Sequence, residues 1–87
     1  MNDATLEAYY SKLADAVDIP LILYNMPSYS GINMSVSVVS KLSTHKNIFG
    51  IKDTSNSINQ TFNYHLETKG NGFDVLAGNN SLNLRRK

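Results

Sequence analysis

The sequence of 87 residues has no cysteine, only two prolines and nearly balanced charge, with eight basic and seven acidic residues. Without cysteine it has neither a disulfide framework nor a thiolate metal site; this is typical of a reducing compartment, and we expect a cytoplasmic protein. The balanced charge argues against a nucleic-acid-binding surface, because only residues 85–87 gather positive charge. We expect no membrane span, because no apolar run approaches the roughly 20 residues that one needs. Residues 1–12 do not have the pattern of a signal peptide.

Two further chemical signatures are absent from the sequence. No spacing of His, Asp and Glu predicts a metal site, and no glycine-rich run has the form of a phosphate-binding loop. The composition, 41% hydrophobic and 17% charged, is that of a soluble globular chain. At this length we predict one small domain over residues 1–87.

What the sequence does contain is an alternation of helix and strand signals. Apolar residues recur at helical spacing in three segments, and short apolar runs that predict strands follow each of them. The predicted helices are about residues 3–17, 33–45 and from Ile58 to the stop signal at 69–72. The predicted strands are residues 21–25, 48–52 and 73–78. This order is typical of right-handed βαβ units, so we predict an α/β fold with a parallel sheet.

The same patterns predict which side chains are buried. The run "LILYN" at 21–25 is almost entirely apolar, which favours a sheet covered on both faces. Residues 26–31 have the composition of a loop. The helical spacing places one apolar face along the first helix, with Leu6, Tyr9 or Tyr10, Leu13 and Val17. Ile58, Phe62 and Leu66 step by four along the third helix.

Candidate functional residues lie at the carboxyl ends of the predicted strands, where chemistry gathers in parallel α/β proteins. Lys52 is either a lysine that reaches solvent from a strand end or a desolvated amine that attacks a carbonyl carbon to form an imine. Tyr24 is either a strand tyrosine with its hydroxyl at the rim or a phenol that relays protons. Thr54 is either a turn residue or a hydroxyl for a substrate. Gly78 either forms a turn or lets a ligand approach the backbone.

Three motifs carry a resemblance to a known family. The segments "LILYNMPSYSG" at 21–31, "NIFGIKDTS" at 47–55 and "FDVLAGNN" at 73–80 resemble the dihydrodipicolinate synthase / N-acetylneuraminate lyase family of pyruvate-dependent class I aldolases. The resemblance implies an eight-stranded (β/α) barrel, of which this chain would supply the part from helix four to strand seven, and a tetramer for the full-length family.

The resemblance also implies an activity and a site. Lys52 would form an imine with a 2-oxo acid such as pyruvate and make or break a C–C bond, and Tyr24 would be the catalytic tyrosine. Thr54, Gly78 and Asn79 would lie in the substrate pocket. Because the imine is covalent, no separate cofactor is implied.

Departures from the family pattern leave the subfamily open. Tyr29 replaces the arginine that is usual in dihydrodipicolinate synthases, and Thr54 replaces their alanine. Both differences favour a neuraminate-lyase-like or keto-deoxy-sugar-acid aldolase. Asn79 and Asn80, however, replace the acidic residues that are expected of a neuraminate lyase.

Other interpretations remain open from the sequence. Three parallel strands leave two unpaired edges, so a truncated piece of a barrel would be marginally stable and prone to associate. Such a piece could be a catalytically inactive remnant that only pairs with other subunits. A doubly wound receiver-like domain also places a lysine at a strand end, but Asn25, Asp53 and Asn79 do not form the acidic cluster that it needs.

Overall fold

The computed structural model describes residues 2–78 and 83–84, which form an alternation of helices and strands. The helices and strands in chain order are α1 (Asp3–Ala16), β1 (Leu21–Asn25), α2 (Pro27–Ser30), α3 (Val36–Leu42), β2 (Ile48–Asp53), α4 (Ile58–Thr68), β3 (Asp74–Ala77) and β4 (Asn83–Leu84). The predicted order of three helices and three strands is confirmed, and α2 and β4 are additions to it.

The three long helices begin where a side-chain oxygen accepts a hydrogen bond from a backbone N–H of the first turn. Asn2 Oδ1 accepts from Thr5 N at 2.9 Å. Ser35 Oγ and Ser57 Oγ have the same role at the starts of α3 and α4. The cap at Ser35 explains why α3 is shorter than the predicted 33–45.

The short helix α2 occupies a segment predicted to be a loop. It has proline in its first turn, where the missing N–H costs nothing. It ends at Gly31, whose φ of 72° lies in the left-handed region and whose N–H donates to Pro27 O at 2.9 Å. This turn redirects the chain immediately after β1.

The sheet has the order β1-β2-β3-β4, with β1, β2 and β3 parallel and β4 antiparallel to β3. The parallel order confirms the predicted α/β class. The pairing of β4 with Val75 and Leu76 was not predicted from the sequence. The carboxyl ends of the three parallel strands therefore lie side by side.

The helices pack on one face of the sheet, where they bury the core. Leu23, Ile51 and Val75 contribute the sheet side of this core, and each is at most 2% exposed. On β1 the alternate side chains point the other way, and Ile22 and Tyr24 are 51% and 48% exposed. The prediction that both faces of the sheet are covered is therefore wrong for the described residues.

The apolar row of α4 is not its buried face. Thr61, Tyr64 and Thr68 face the core, whereas the apolar row is solvent-exposed, at 68% for Ile58, 48% for Phe62 and 47% for Leu66. The polar side chains can be buried because each hydroxyl donates a hydrogen bond: to Asp53 Oδ2, to Met34 O and to Tyr64 O, respectively.

The apolar spacing in the sequence predicts the buried face of α1 only in part. Leu6 is buried as expected, but Ala14 is the second buried position, and Tyr9 and Leu13 are 56% and 39% exposed. Asn47, just before β2, holds the end of this helix, since its Nδ2 donates to Ala14 O and Val17 O at 3.0 and 2.9 Å.

Candidate active site at the strand ends

Tyr24 and Lys52 are neighbours across the paired strands β1 and β2. Lys52 is half-buried, and its Nζ lies 5.2 Å from the centroid of the Tyr24 ring, within the range of a cation–π contact. The amine therefore lies over the phenol ring on the open face of the sheet. The half-buried position of Lys52 at the strand end is compatible with both interpretations of this residue.

Thr54 and Gly78 lie directly beyond these strand ends. The backbone N–H and the hydroxyl of Thr54 both donate to Asn25 O at 2.9 Å. Gly78 N donates to Asp53 O at 2.8 Å. A Cβ at position 78 would overlap Thr54 Cγ2 and lie 3.2 Å from Lys52 Cε. Glycine is thus required here by the close approach of two neighbouring side chains.

Four of the five predicted site residues come together, and the fifth lies outside the described part of the chain. Tyr24, Lys52, Thr54 and Gly78 all lie at the carboxyl ends of β1, β2 and β3. Asn79 lies outside the described residues.

A cavity of about 310 Å³ lies beside Tyr24 at the strand ends. It is bounded by Tyr24, by residues 26–28 after β1 and by residues 54–56 after β2, and Lys52 is not among its lining residues. Ser28, Thr54 and Ser55 are lining residues with hydroxyl groups, of which the Ser55 hydroxyl donates to Asp53 Oδ2. The Thr54 hydroxyl proton is donated to Asn25 O, which leaves its oxygen available as a hydrogen-bond acceptor.

A buried polar cluster lies on the opposite side of the same strand ends. Asn25 and Asp53, which are 1% and 2% exposed, are paired in register and joined by a hydrogen bond of 3.0 Å from Asn25 Nδ2 to Asp53 Oδ1. Sequence reasoning missed this cluster. The available signal was a polar residue at the inward-facing end of each of two apolar strands, 28 positions apart.

Tyr64 of α4 closes the cluster from the helix side. Its hydroxyl donates to Met34 O and accepts from Asn25 Nδ2 at 3.3 Å. Burial raises the pKa of the Tyr64 phenol far above its ordinary value, and the nearby Asp53 carboxylate raises it further. Both effects favour the protonated phenol, which donates to Met34 O.

Residues 2–78 and 83–84 contain no group of three or more His, Cys, Asp or Glu side chains arranged to hold a metal ion. None of the helices described is long and apolar enough to cross a bilayer.

Three parallel strands, helices on one face and a lysine–tyrosine pair at the strand ends define a part of a (β/α)8 barrel with its candidate site at the usual face. The sequence profile of the dihydrodipicolinate synthetase family matches residues 1–86, and the chain belongs to that family. The family predicted from the three motifs is confirmed.

Curated relatives agree with this family. The chain is 45% identical over 83 residues to the 4-hydroxy-tetrahydrodipicolinate synthase of Methanosarcina acetivorans. The aligned segment covers 95% of this chain and 28% of the relative. The enzyme of the same name from Geobacter sulfurreducens is 43% identical over 77 residues, covering 88% of this chain and 26% of the relative. The chain thus spans little more than a quarter of the length of these relatives.

Solved structures agree as well. The Escherichia coli prophage protein YagE, a member of the dihydrodipicolinic acid synthase family solved in complex with pyruvate, matches with a TM-score of 0.74 and 34% identity, covering 80% of this chain and 24% of that protein. A dihydrodipicolinate synthase from Bacillus anthracis matches with a TM-score of 0.78 and 25% identity, covering 82% and 24%. The partial-barrel fold predicted from the resemblance is confirmed.

Proposed function

We propose that the protein carrying these residues is a class I aldolase that forms an imine between Lys52 and a 2-oxo acid such as pyruvate. The observation that supports this most directly is the placement of Lys52 Nζ over the Tyr24 ring at the carboxyl ends of adjacent parallel strands. YagE, a structural relative in the same family, binds pyruvate. The chain covers only part of the family barrel, so we assign this activity to the complete barrel.

The proposed chemistry is the addition of the neutral amine to the keto carbon. The Lys52 nitrogen forms a C–N bond, the carbonyl oxygen takes a proton to give a carbinolamine, and loss of water then gives the iminium. Tyr24, whose ring centroid lies 5.2 Å from Lys52 Nζ, would carry the proton to the departing oxygen. The iminium accepts electrons from the adjacent carbon, which allows a C–C bond to form or break there.

The pocket residues would act on the rest of the substrate. Thr54 would accept a hydrogen bond from a substrate hydroxyl, because its own proton is donated to Asn25 O. Gly78 would leave room for the lysine chain, and the family resemblance makes Asn79 a further candidate for substrate binding. We propose no separate cofactor, a cytoplasmic location and a homo-oligomer built from complete barrels. The identity of the second reactant depends on the subfamily, which the sequence leaves open.

Borohydride trapping tests this function. We expect that incubating the protein with pyruvate and sodium borohydride attaches a reduced pyruvyl group to Lys52, located by mass spectrometry of its peptides. Lys52→Arg should abolish the adduct, because a guanidinium does not act as the amine nucleophile. Lys46→Arg is the matched control at an exposed lysine and should leave the adduct unchanged. A protein that binds pyruvate but gives no adduct on Lys52 would contradict the proposal.

A second candidate function is a non-catalytic subunit-interaction piece. Exposed apolar side chains favour it, because exposed apolar surface marks contact sites; Ile22 lies on the open sheet face, and Phe62 and Leu66 lie on α4. The trapping experiment distinguishes the two functions, because an aldolase gives the Lys52 adduct whereas an interaction piece needs no reactive amine.

A further inference from the structure

The buried Asn25–Asp53 pair has more hydrogen bonds than the pairing of two strands requires. Asn25 Nδ2 lies within 3.3 Å of three acceptors, and Asn25 Oδ1 accepts from Met34 N at 3.0 Å. The three acceptors are Asn33 Oδ1, Asp53 Oδ1 and Tyr64 Oη. The amide of Asn25 is therefore held in one orientation by partners on four sides.

The Asp53 carboxylate receives five hydrogen bonds although it is almost completely buried. The donors are Asn25 Nδ2, Ser55 N, Ser55 Oγ, Gln60 Nε2 and Thr61 Oγ1. A buried carboxylate is tolerated only when donors surround it in this way. Among the described residues, every buried side-chain polar atom has a partner.

This pair adjoins the reactive residues in the chain. Asn25 follows Tyr24 and Asp53 follows Lys52, and side chains alternate between the two faces of a strand. A rotation of the backbone at Asp53 would therefore move Lys52 on the other face. The backbone oxygens of Asn25 and Asp53 also accept from Thr54 N and Gly78 N, which ties the ends of β1, β2 and β3 together.

We propose that Asn25 and Asp53 are positioning residues that hold Lys52 at the distance from Tyr24 at which imine formation is fast. The pair touches no substrate and acts through the backbone of the two strand ends. This inference rests on the proposed function, because its consequence is the rate of the imine step. It adds two buried residues, and the α4 side chains that anchor them, to the machinery of the site.

Asp53→Asn is the direct test, made in the protein as its gene encodes it. The new amide would point an N–H group at the donors that now surround the carboxylate, so the strand ends should shift. We expect the rate of borohydride trapping at saturating pyruvate to fall by about 10- to 100-fold, because small misplacements of reacting groups cost rates of this order. The pyruvate concentration that gives half the maximal rate should change little, since the pair makes no contact in the pocket.

Two controls separate positioning from loss of stability. Val39→Ala removes a buried side chain of α3 away from the strand ends and should lower the melting temperature without slowing trapping in the folded protein. The exchange Asn25→Asp with Asp53→Asn restores a donor facing an acceptor across the pair, while the carboxylate of residue 25 can still accept from Met34 N. We expect it to recover part of the trapping rate that Asp53→Asn loses, because Asn33 Oδ1 and Tyr64 Oη still lack the donor that Asn25 Nδ2 provides.

The outcomes distinguish this inference from the proposed function. A wild-type protein without the Lys52 adduct would overturn both. A wild-type protein that is trapped, together with a folded Asp53→Asn variant trapped at the same rate, would overturn only the positioning role. If Asp53→Asn does not fold, Thr61→Val replaces it, since it removes one of the five donors from α4, outside the pocket lining. An unchanged trapping rate in Thr61→Val would also overturn the role.

Discussion

At the scale of single residues, the candidate site depends on how closely its members approach one another. Lys52 lies over Tyr24, and Gly78 leaves the space that Thr54 and the lysine chain occupy. The sequence identified these four positions because each lies at the end of an apolar run. Their mutual contacts follow from strand register, which places Tyr24 beside Lys52 and Asn25 beside Asp53.

The contact between Gly78 and Thr54 gives a prediction at this scale. Gly78→Ala places a methyl group where Thr54 Cγ2 now lies, and an overlap of this kind typically costs about 1–3 kcal/mol of unfolding free energy. Thr54→Ser removes Cγ2 but keeps the hydroxyl that donates to Asn25 O. We therefore expect the double variant to be more stable than Gly78→Ala alone.

Urea denaturation of the two single variants and the double variant measures this coupling as a double-mutant cycle. Additive effects of the two substitutions would show that the predicted overlap is not the cause of the destabilisation. Wild-type stability in Gly78→Ala would show that the strand end adapts without cost.

At the scale of secondary-structure elements, the starts of the helices and the strand segments follow local signals, whereas the buried faces do not. The period of four residues correctly indicates a helix at α4, but its apolar row faces solvent. The face that packs is the one whose hydroxyls meet the buried Asp53 and the Met34 carbonyl. The interior of this protein thus selects a helix face by polar complementarity as well as by apolar area.

A substitution on the polar, buried face of α4 should therefore cost more stability than a substitution in its apolar, exposed row. Tyr64→Phe removes a buried hydroxyl that bonds to Met34 O and Asn25 Nδ2, and a buried partner left without its hydrogen bond costs about 1–3 kcal/mol. Phe62→Ala removes a larger apolar group from a half-exposed position, and we expect a change within about 0.5 kcal/mol.

Midpoints of urea denaturation for Tyr64→Phe and Phe62→Ala decide between the two faces. A larger loss of stability in Phe62→Ala would mean that the exposed row is covered in solution.

At the scale of the whole molecule, one face of the sheet and two helix surfaces expose apolar side chains. Ile22 and Tyr24 lie on the open sheet face, and Phe62 and Leu66 lie on α4. In a complete (β/α)8 barrel the inner face of the sheet is packed by side chains from the other strands. The described residues therefore have the surface of a part that is stabilised by further contacts.

We expect the 87-residue chain, prepared by itself, to associate through the open sheet face and through the exposed apolar row of α4. Sedimentation velocity should show a mass that rises with concentration. Ile22→Lys and Phe62→Lys should each reduce it, because a charge opposes burial of the patch. Ala4→Lys, at an exposed position of α1 away from these apolar side chains, is the matched control and should have no effect. A dilute monomer with a cooperative urea transition would contradict this expectation.

The sequence by itself determined the order of helices and strands, the parallel sheet and the positions of Tyr24, Lys52, Thr54 and Gly78 at strand ends. These depend on local spacing and on turn residues, which act over a few positions of the chain. The tertiary structure alone decided which face of α4 is buried, that one sheet face is open and that Asn25 and Asp53 form a buried pair. Each of these depends on contacts between residues far apart in sequence, and the period of a helix or strand does not specify which neighbour its faces will meet.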